Sequence, residues 1–270
     1  MLQEALSDLP LGEIRYYEQI GSTNTAAIQW ANEGAPDLSL VVADEQTAGR
    51  GRMDRIWVTS PGAALAFSLL MQLQGRSAPP APLPEKGLPF ITALGAVAVS
   101  AALRQEFGLA AEIKWPNDVL LNRRKVSGVL AETHWQGEKP TSTVLGIGIN
   151  VATKSIPQDI DLHFPATSVE SVVGRPVDRW RLLHAVIEDL LLWRSKLAST
   201  EFLQTWENQL AFQGEWVRVG SHDAASNSFQ EGVVLGLSPQ GSLKLRTRSG
   251  QIIAVQSGEL HLRPVDKTPE

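Results

Sequence analysis

Hydrophobic positions recur at helical spacing in two long stretches of the chain. Residues 178–197 place their apolar side chains along one side, which predicts an amphipathic helix. Residues 87–103 carry no charged side chain, and their apolar positions also share a helical face. This stretch just reaches the length of a membrane span, but its alanine, glycine, serine and threonine content favours a helix buried in a globular fold. A shorter helix is predicted at 25–32, because residues 22–24 are of types that begin helices.

Apolar and polar residues alternate with the period of a β-strand in several shorter stretches. In the first two hundred residues this pattern predicts strands at 65–71, 112–115, 119–121, 125–133 and 143–151. After residue 210, short strands are predicted in close succession at 215–219, 231–237, 242–248 and 251–255. Closely spaced strands are typical of a small β-barrel. We therefore divide the chain into a larger domain of residues 1–212 and a small C-terminal β-barrel domain of residues 213–270.

Composition indicates a globular protein and removes several chemistries. Apolar residues make up 43% and charged residues 20%, which is enough apolar material for a substantial core. Cysteine is absent, so disulfides, thiolate nucleophiles and cysteine-based zinc sites are excluded. The first ten residues contain two acids and no apolar stretch of the kind found in a signal peptide. We therefore expect a cytoplasmic protein with no membrane partner.

Charge and motif content disfavour several classes of binding protein. The net charge of −5 does not suggest the basic footprint of a protein that grips nucleic acid. The five histidines lack metal-ligand spacing, so no metal ligands are predicted, and no glycine is followed by lysine as in a Walker A loop. Gly146-x-Gly148 resembles half of a dinucleotide-binding motif, but Val151 stands at the third glycine position. Close backbone packing within a strand is the simpler explanation.

Three segments are unusually polar, and each has a plain and a functional interpretation. Residues 21–24 either cap a helix or present hydroxyls and an amide to a ligand. Residues 46–57 hold three arginines and two glycines, which fits a solvated turn, an RNA contact or a flexible anion-binding loop. Residues 114–118 predict a turn, and 124–128 begin a strand that carries Lys125. That lysine either protects a sheet edge or meets an anion.

Taken together, these segments supply several cations, neutral polar groups and an apolar wall, but no evident nucleophile. This set suits the activation of a carboxylic acid by ATP. A carboxylate and the α-phosphate of ATP are both negative, so arginine and lysine would lower their repulsion and stabilise the charge that develops at phosphorus. Alignment of the two reactants would supply much of the remaining rate enhancement.

The same segments, in order and at similar spacing, resemble those of the biotin protein ligases, also called biotin–[acetyl-CoA-carboxylase] ligases. The resemblance covers about residues 15–265. The matching pieces are Ser22-Thr23-Asn24, Gln46-x-x-Gly49-Arg50-Gly51-Arg52-x-x-Arg55-x-Trp57, Lys114-Trp115-Pro116-Asn117-Asp118, Arg124-Lys125-x-x-Gly128-x-Leu130-x-Glu132 and Gly146-x-Gly148-x-Asn150. Each piece alone is weak, whereas the ordered set is specific.

The resemblance implies an α+β fold: a mixed β-sheet with flanking helices, related to class II aminoacyl-tRNA synthetases, plus a small SH3-like β-barrel. It implies a ligase that uses ATP and Mg²⁺ to make biotinyl-5′-AMP and transfers biotin to a lysine of the biotin carboxyl carrier protein. Some relatives are also repressors with an N-terminal DNA-binding domain. The first motif begins at residue 22, so we expect the monofunctional type, with no DNA partner, as a monomer or weak homodimer.

Carried over residue by residue, the resemblance implies three catalytic side chains. Lys125 would be the main cation at the carboxylate and α-phosphate, Arg52 would hold the same groups, and Asp118 would assist the acceptor lysine. The residues implied to bind biotin and ATP are Ser22, Thr23, Asn24, Gln46, Gly49, Arg50, Gly51, Arg52, Arg55, Trp57, Lys114, Asn117, Lys125, Gly128, Gly148, Asn150 and Arg263.

The sequence also departs from the family pattern. Asp54 stands where many relatives have glycine, and Ala64 replaces a frequent asparagine. The proline-rich segment 77–89 predicts a longer surface loop than usual. Two alternative functions stay open: a lipoyl or octanoyl ligase, which the polar residues at the predicted biotin pocket disfavour, and a nucleic-acid-binding regulator using residues 49–52.

Overall fold

The computed structural model describes residues 2–52, 55–58, 60–73, 85–157, 162, 164–221, 229–256 and 260–264. Asp54, residues 77–84 of the proline-rich segment and the side chain of Arg263 lie outside the described residues. Where the expected surface loop 77–89 is described, the chain forms a 3₁₀ helix, Glu85–Phe90, that leads into the next α-helix.

Helices and strands are mixed as far as residue 208, and every described element after it is a strand. The helices are α1 (Leu2–Ala5), α2 (Thr23–Asn32), α3 (Ile91–Phe107), α4 (Val169–Val173), α5 (Arg179–Arg194) and α6 (Thr200–Asn208). The strands are β1 (Ile14–Ile20), β2 (Leu40–Gln46), β3 (Ala64–Gln72), β4 (Glu112–Lys114), β5 (Asp118–Leu121), β6 (Arg124–Gln136), β7 (Lys139–Asn150), β8 (Trp216–Ser221), β9 (Phe229–Leu237), β10 (Leu243–Arg246), β11 (Ile252–Val255) and β12 (Leu260–Pro264).

Two sheets divide these strands between them. The first has seven strands in the order β1-β2-β3-β7-β6-β5-β4, and the second has five in the order β11-β10-β9-β8-β12. β1 and β2 are parallel, whereas the other pairs of the first sheet are antiparallel. The expected mixed sheet with flanking helices and the small C-terminal β-unit are therefore confirmed. Sequence periodicity did not predict β1, β2 or β12.

The first sheet is covered differently on its two faces. α3 and α5 pack against each other and against one face, and they build the main core. α2 packs on the opposite face over a much smaller apolar cluster that includes Val41, Leu70 and Val144. Because this single short helix covers only part of its face, the rest is available for a cleft.

α3 is the one described helix with the length and composition of a membrane span. The apolar stretch Lys86–Phe107 meets that criterion, yet 72% of its most apolar 18-residue window is buried inside the fold. It ends at Gly108, which takes a left-handed conformation with φ of 65°. The prediction that residues 87–103 form a buried core helix is confirmed, with the helix beginning and ending four residues later.

A two-residue turn joins β5 and β6. Asn122 and Arg123 have φ values of 49° and 63°, as a two-residue hairpin requires at both central positions. Arg123 then forms an ion pair with Glu215, just before β8. The turn thus connects the first sheet to the C-terminal unit.

A second contact joins the two sheets directly behind the polar segment 114–118. The Trp115 indole, 1% exposed, donates a hydrogen bond from Nε1 to the Gly241 carbonyl oxygen at 3.0 Å. Gly241 has a φ of 78°, in the left-handed region that favours glycine. The C-terminal sheet therefore supports the polar segment from behind.

Asp189 on α5 is a buried acid, 5% exposed, whose Oδ2 has no hydrogen-bond partner within the described part of the chain. Burial, with the charge of Glu188, raises the pKa of Asp189 to about 6. The folded protein keeps a proton that the unfolded chain releases near pH 4, so the free energy of unfolding falls as pH rises through this window. We expect Asp189→Asn to raise the Tm by about 2–4 °C at pH 8 and much less at pH 4. Thermal unfolding at both pH values checks this, and equal shifts would contradict it.

Candidate functional site

A cleft of about 930 Å³, part of it open to solvent, lies on the α2 face of the first sheet. Space for the cleft arises because the strand register brings several small residues side by side in the sheet. Ala66 pairs with Gly148, Gly148 with Gly128, and Gly128 with Asp118. The neighbouring row is Ser68, Gly146 and Leu130.

The glycines of β7 are required by close packing. A Cβ built on Gly146 would overlap Asn24 Oδ1, and one on Gly148 would overlap the Trp57 ring. Gly146 and Gly148 both lie on the α2 face of β7, because alternate residues of a strand share a face. The close-packing explanation of Gly146-x-Gly148 therefore holds, and the same two glycines form part of the cleft floor.

Polar side chains at the start of α2 form a hydrogen-bonded network at one end of the cleft. Thr23 donates to Gln46 Oε1 from its backbone N–H at 2.8 Å and from its hydroxyl at 3.0 Å. The Ser68 hydroxyl lies 2.6 Å from Asn24 Oδ1 and 2.8 Å from Thr23 Oγ1. Ser22 occupies the N-cap position, but its side chain makes no capping hydrogen bond. The geometry thus favours the ligand-facing interpretation of this segment over the cap.

A cluster of cations around one carboxylate forms the other end. Asp118 Oδ1 lies 2.7 Å from Lys125 Nζ, and Asp118 Oδ2 lies 3.1 Å from Lys114 Nζ. Arg52 Nη1 donates to Asn117 Oδ1 at 3.3 Å. A single acid thus holds two lysines beside an arginine, and the cluster carries an excess of positive charge.

Burial and charge shift the pKa values in this cluster in defined directions. Burial tends to raise the pKa of Asp118, but Lys125 and Lys114 together overcome it and hold that pKa well below its ordinary value of 3.8. Burial lowers the pKa of Lys114, although Asp118 partly opposes the effect. Burial likewise lowers the pKa of Arg52. Asp118 is therefore a firmly ionised, weakly basic carboxylate, and an incoming anion would relieve the buried positive charge.

The glycine–arginine loop, described at residues 46–52 and 55–57, lines the cleft and is held by backbone hydrogen bonds. Trp57 N–H donates to the Gly49 carbonyl at 2.9 Å, and Gly51 N–H donates to the Arg55 carbonyl at 2.7 Å. The Trp57 ring covers Gly148 and Gly128, with its centroid 5.7 Å from Lys125 Nζ. The loop thus places aromatic surface and guanidinium groups beside the lysine.

Most of the side chains implied by the family resemblance line this one cleft. The lining members of the set are Ser22, Thr23, Asn24, Gln46, Arg50, Gly51, Arg52, Arg55, Trp57, Lys114, Asn117, Asp118, Lys125, Gly128 and Gly148. Gly49 is buried behind the Trp57 segment. Asn150 donates to the Thr167 carbonyl at 3.1 Å. These placements support the proposed roles below, and each role stays a prediction.

Two polar side chains of the hydrogen-bonded network were not assigned a role from the sequence. Ser68 lies in the middle of β3, and Glu132 lies near the end of β6. Glu132 Oε2 accepts hydrogen bonds from Asn24 Nδ2 at 2.7 Å and from Arg50 Nη2 at 2.9 Å. A serine within an otherwise apolar strand is a weak sequence signal, and its partners depend on the strand register.

Comparisons with known proteins place the chain among ligases. The sequence profile of the biotin/lipoate A/B protein ligase family matches residues 16–150. The bifunctional ligase/repressor BirA of Bacillus subtilis (strain 168) is 34% identical over 254 residues, which cover 92% of this chain and 73% of that protein. The biotin–[acetyl-CoA-carboxylase] ligase of Paracoccus denitrificans is 33% identical over 236 residues, which cover 85% of this chain and 92% of that protein.

Solved structures give the same result. The biotin protein ligase from Aquifex aeolicus, in complex with biotin and ATP, superposes with a TM-score of 0.75 at 28% identity. The match covers 94% of this chain and 99% of that one. Because 94% of this chain is matched, the superposition extends over residues of both sheets.

Proposed function

The chain belongs to the biotin/lipoate A/B protein ligase family, and from this premise we propose that it activates biotin with ATP and transfers it to a lysine of a biotin carboxyl carrier protein. The observation that carries the proposal is the composition of the cleft. One end is a neutral hydrogen-bonding network, and the other is a buried cation cluster. Biotin has a matching polarity, with a ureido ring at one end and a carboxylate at the other.

The neutral end supports biotin over lipoate or a fatty acid. A ureido group has two N–H donors and one carbonyl acceptor, whereas a dithiolane ring or an alkyl chain has neither. The cleft offers buried polar atoms on Thr23 and Asn24, which are 3% and 4% exposed. Each of these atoms has a partner within the protein, but Thr23 Oγ1 and Asn24 Oδ1 keep further acceptor capacity that a ureido N–H satisfies and an apolar ligand does not. The network therefore favours a ureido ligand.

The cationic end supports adenylation. The biotin carboxylate would attack the α-phosphorus of ATP, forming the acyl phosphate bond of biotinyl-5′-AMP and releasing pyrophosphate. Lys125 would lie beside the carboxylate and the α-phosphate, and Arg52 would hold both reactants. Fixed positive charge lowers the repulsion between the two anions and stabilises the charge that develops at phosphorus. No protein nucleophile is needed, because the mixed anhydride is itself the activated species.

Transfer would follow at the same place. The amine of the acceptor lysine would attack the biotinyl carbonyl, form the amide and release AMP. Asp118 was predicted to assist this amine, but both of its oxygens are bound to lysines and its pKa is lowered. We therefore propose that Asp118 acts mainly by positioning Lys114 and Lys125.

Mg²⁺ would enter as part of the nucleotide substrate. Among the described residues no group of three or more histidine, aspartate or glutamate side chains is placed to hold a metal ion. The carboxylate of Asp118, which lines the cleft, and that of Glu132, which lies next to it, are each bound to cationic side chains. Mg²⁺ in nucleotide enzymes is held largely by phosphate oxygens and water, so this donor set fits a metal that arrives with ATP.

Mass spectrometry of a biotin carboxyl carrier domain tests the proposal. The domain is incubated with the full chain, biotin and MgATP, and in parallel with lipoate or octanoate in place of biotin. We expect a mass increase of one biotinyl group at a single lysine, dependent on ATP. Modification by lipoate or octanoate but not by biotin would overturn the substrate assignment.

Replacing Arg52 by alanine should weaken binding of the adenylate. Arg52 lines the cleft beside Asn117, and loss of a charged hydrogen bond costs about 1.5–3 kcal/mol. Calorimetry with a non-hydrolysable biotinyl-adenylate analogue measures the change. Arg52→Lys is the matched control, because it keeps the charge but loses the planar donor fork. Unchanged affinity in the alanine variant would contradict the role.

A further inference from the structure

Glu132 links two parts of the cleft through one oxygen atom. Its Oε2 accepts from Asn24 Nδ2 at 2.7 Å and from Arg50 Nη2 at 2.9 Å. Asn24 belongs to α2, whereas Arg50 belongs to the glycine–arginine loop, and Glu132 lies on β6. The Glu132 side chain is 26% exposed, so the contact is partly shielded from water.

The contact with Glu132 fixes the orientation of the Asn24 side-chain amide, that is, the positions of its nitrogen and its oxygen. A carboxylate only accepts hydrogen bonds, so the amide nitrogen must face Glu132. The Leu130 carbonyl, 3.4 Å from the same nitrogen, is a second acceptor on that side. On the opposite side, Ser68 donates to Asn24 Oδ1 at 2.6 Å. Asn24 Oδ1 therefore lies over Gly146, in the cleft floor, as an acceptor.

The Gln46 side-chain amide is also fixed in one orientation, with its oxygen directed toward Thr23. Its Oε1 accepts from the Thr23 N–H and the Thr23 hydroxyl, so its Nε2 is directed away as a donor. The Thr23 hydroxyl proton is used in this contact, which leaves Thr23 Oγ1 as an acceptor. This end of the cleft thus offers the Gln46 amide nitrogen as a donor, and Thr23 Oγ1 and Asn24 Oδ1 as acceptors. This is the complement of a cyclic urea.

We propose that Glu132 is the positioning residue for ureido recognition. It holds the Asn24 amide with oxygen toward the ligand N–H and anchors the loop through Arg50 at the same atom. An amide turned the other way would present N–H to N–H and repel the urea. This inference rests on the proposed function, and it adds a residue that itself stands outside the cleft lining.

Glu132→Gln is the informative variant, because it keeps the size but removes the obligatory acceptor. Its amide presents either oxygen or nitrogen to Asn24, so the Asn24 orientation is no longer enforced. Pyrophosphate release in the full chain should show KM for biotin raised about tenfold, the scale of one charged hydrogen bond. KM for ATP should stay within about twofold. Desthiobiotin, which keeps the ureido ring and lacks the sulfur, should show the same rise.

A double-mutant cycle separates this role from a merely structural one. If Glu132 acts through Asn24, the rise in biotin KM caused by Glu132→Gln should be much smaller in an Asn24→Ala background, and any remainder should vanish when Arg50, the other partner of Glu132 Oε2, is also replaced by alanine. Additive effects, or a biotin KM within twofold of wild type in the single variant, would overturn the proposal. Glu138→Gln, at an exposed position between β6 and β7, is the matched charge control. If the wild-type chain itself releases no pyrophosphate with biotin, the proposed function fails instead.

Discussion

Replacing Lys125 by alanine should lower the rate of biotinyl-adenylate formation by about 100-fold or more. Lys125 Nζ lies 2.7 Å from Asp118 and faces the Trp57 ring across the cleft. It is held there before any ligand arrives, so its charge needs no rearrangement during the reaction. Removal of one preorganised stabiliser of developing charge costs about 10²–10³-fold in rate. Biotin-dependent pyrophosphate release under single-turnover conditions measures the effect.

Lys139→Ala provides the control for this experiment. Lys139 begins β7 at an exposed position outside the cleft, so its loss changes the net charge by the same amount without touching the site. A rate near that of wild type in Lys125→Ala would remove Lys125 from the mechanism. Thermal unfolding of both variants shows whether the loss of rate arises from unfolding.

Asp118→Asn should destabilise the protein and slow both half-reactions. The change leaves Lys114, 8% exposed, and Lys125 with no carboxylate between them. Breaking a buried ion pair costs about 3–5 kcal/mol, and the remaining amide oxygen places this variant near the lower value. Adenylate formation should fall about tenfold or more, because Lys125 loses the group that positions it. Denaturant unfolding and separate assays of adenylation and transfer measure these effects.

The two possible roles of Asp118 predict different results in those assays. A positioning role affects adenylation and transfer together, whereas a proton-accepting role affects transfer alone. Because the pKa of Asp118 is lowered, its stabilisation of the fold should persist at neutral pH and be lost only as the pH falls below 3.8. Asp37→Asn, which breaks the pair between the partly exposed Asp37 and the buried Arg194 away from the cleft, is the control. It should lower stability and leave the kinetics of folded protein unchanged.

Periodicity predicted the elements with strong local signals and missed those without them. The helix at 178–197 and the strands at 125–133 and 143–151 appear as α5, β6 and β7. β1 and β2 were missed. They pair in parallel with α2 between them in the chain, so no tight turn marks their ends in the sequence. The first four residues of β2 are all buried. A buried strand of this kind loses the polar alternation that marks a half-exposed one.

The site shows the same division at the level of atoms. The ordered motifs were sufficient to select most of the cleft-lining residues, because residue type and spacing are local properties. They did not show that Ser68 lies opposite Gly146, since that depends on the register of β3 with β7. They also did not show that Asn24 meets Glu132, which is 108 residues away in sequence.

The sequence by itself determined the fold class, the family resemblance and the cationic and polar character of the site. These follow from periodicity, turn residues and the order of the motifs, which short stretches of chain carry. Only the tertiary structure decided that Asp118 holds two lysines, that glycines of neighbouring strands form one floor, and that Glu132 orients Asn24. Each of these depends on strand register and helix packing, because directional hydrogen bonds and ion pairs form only where distant segments are brought within about 3 Å.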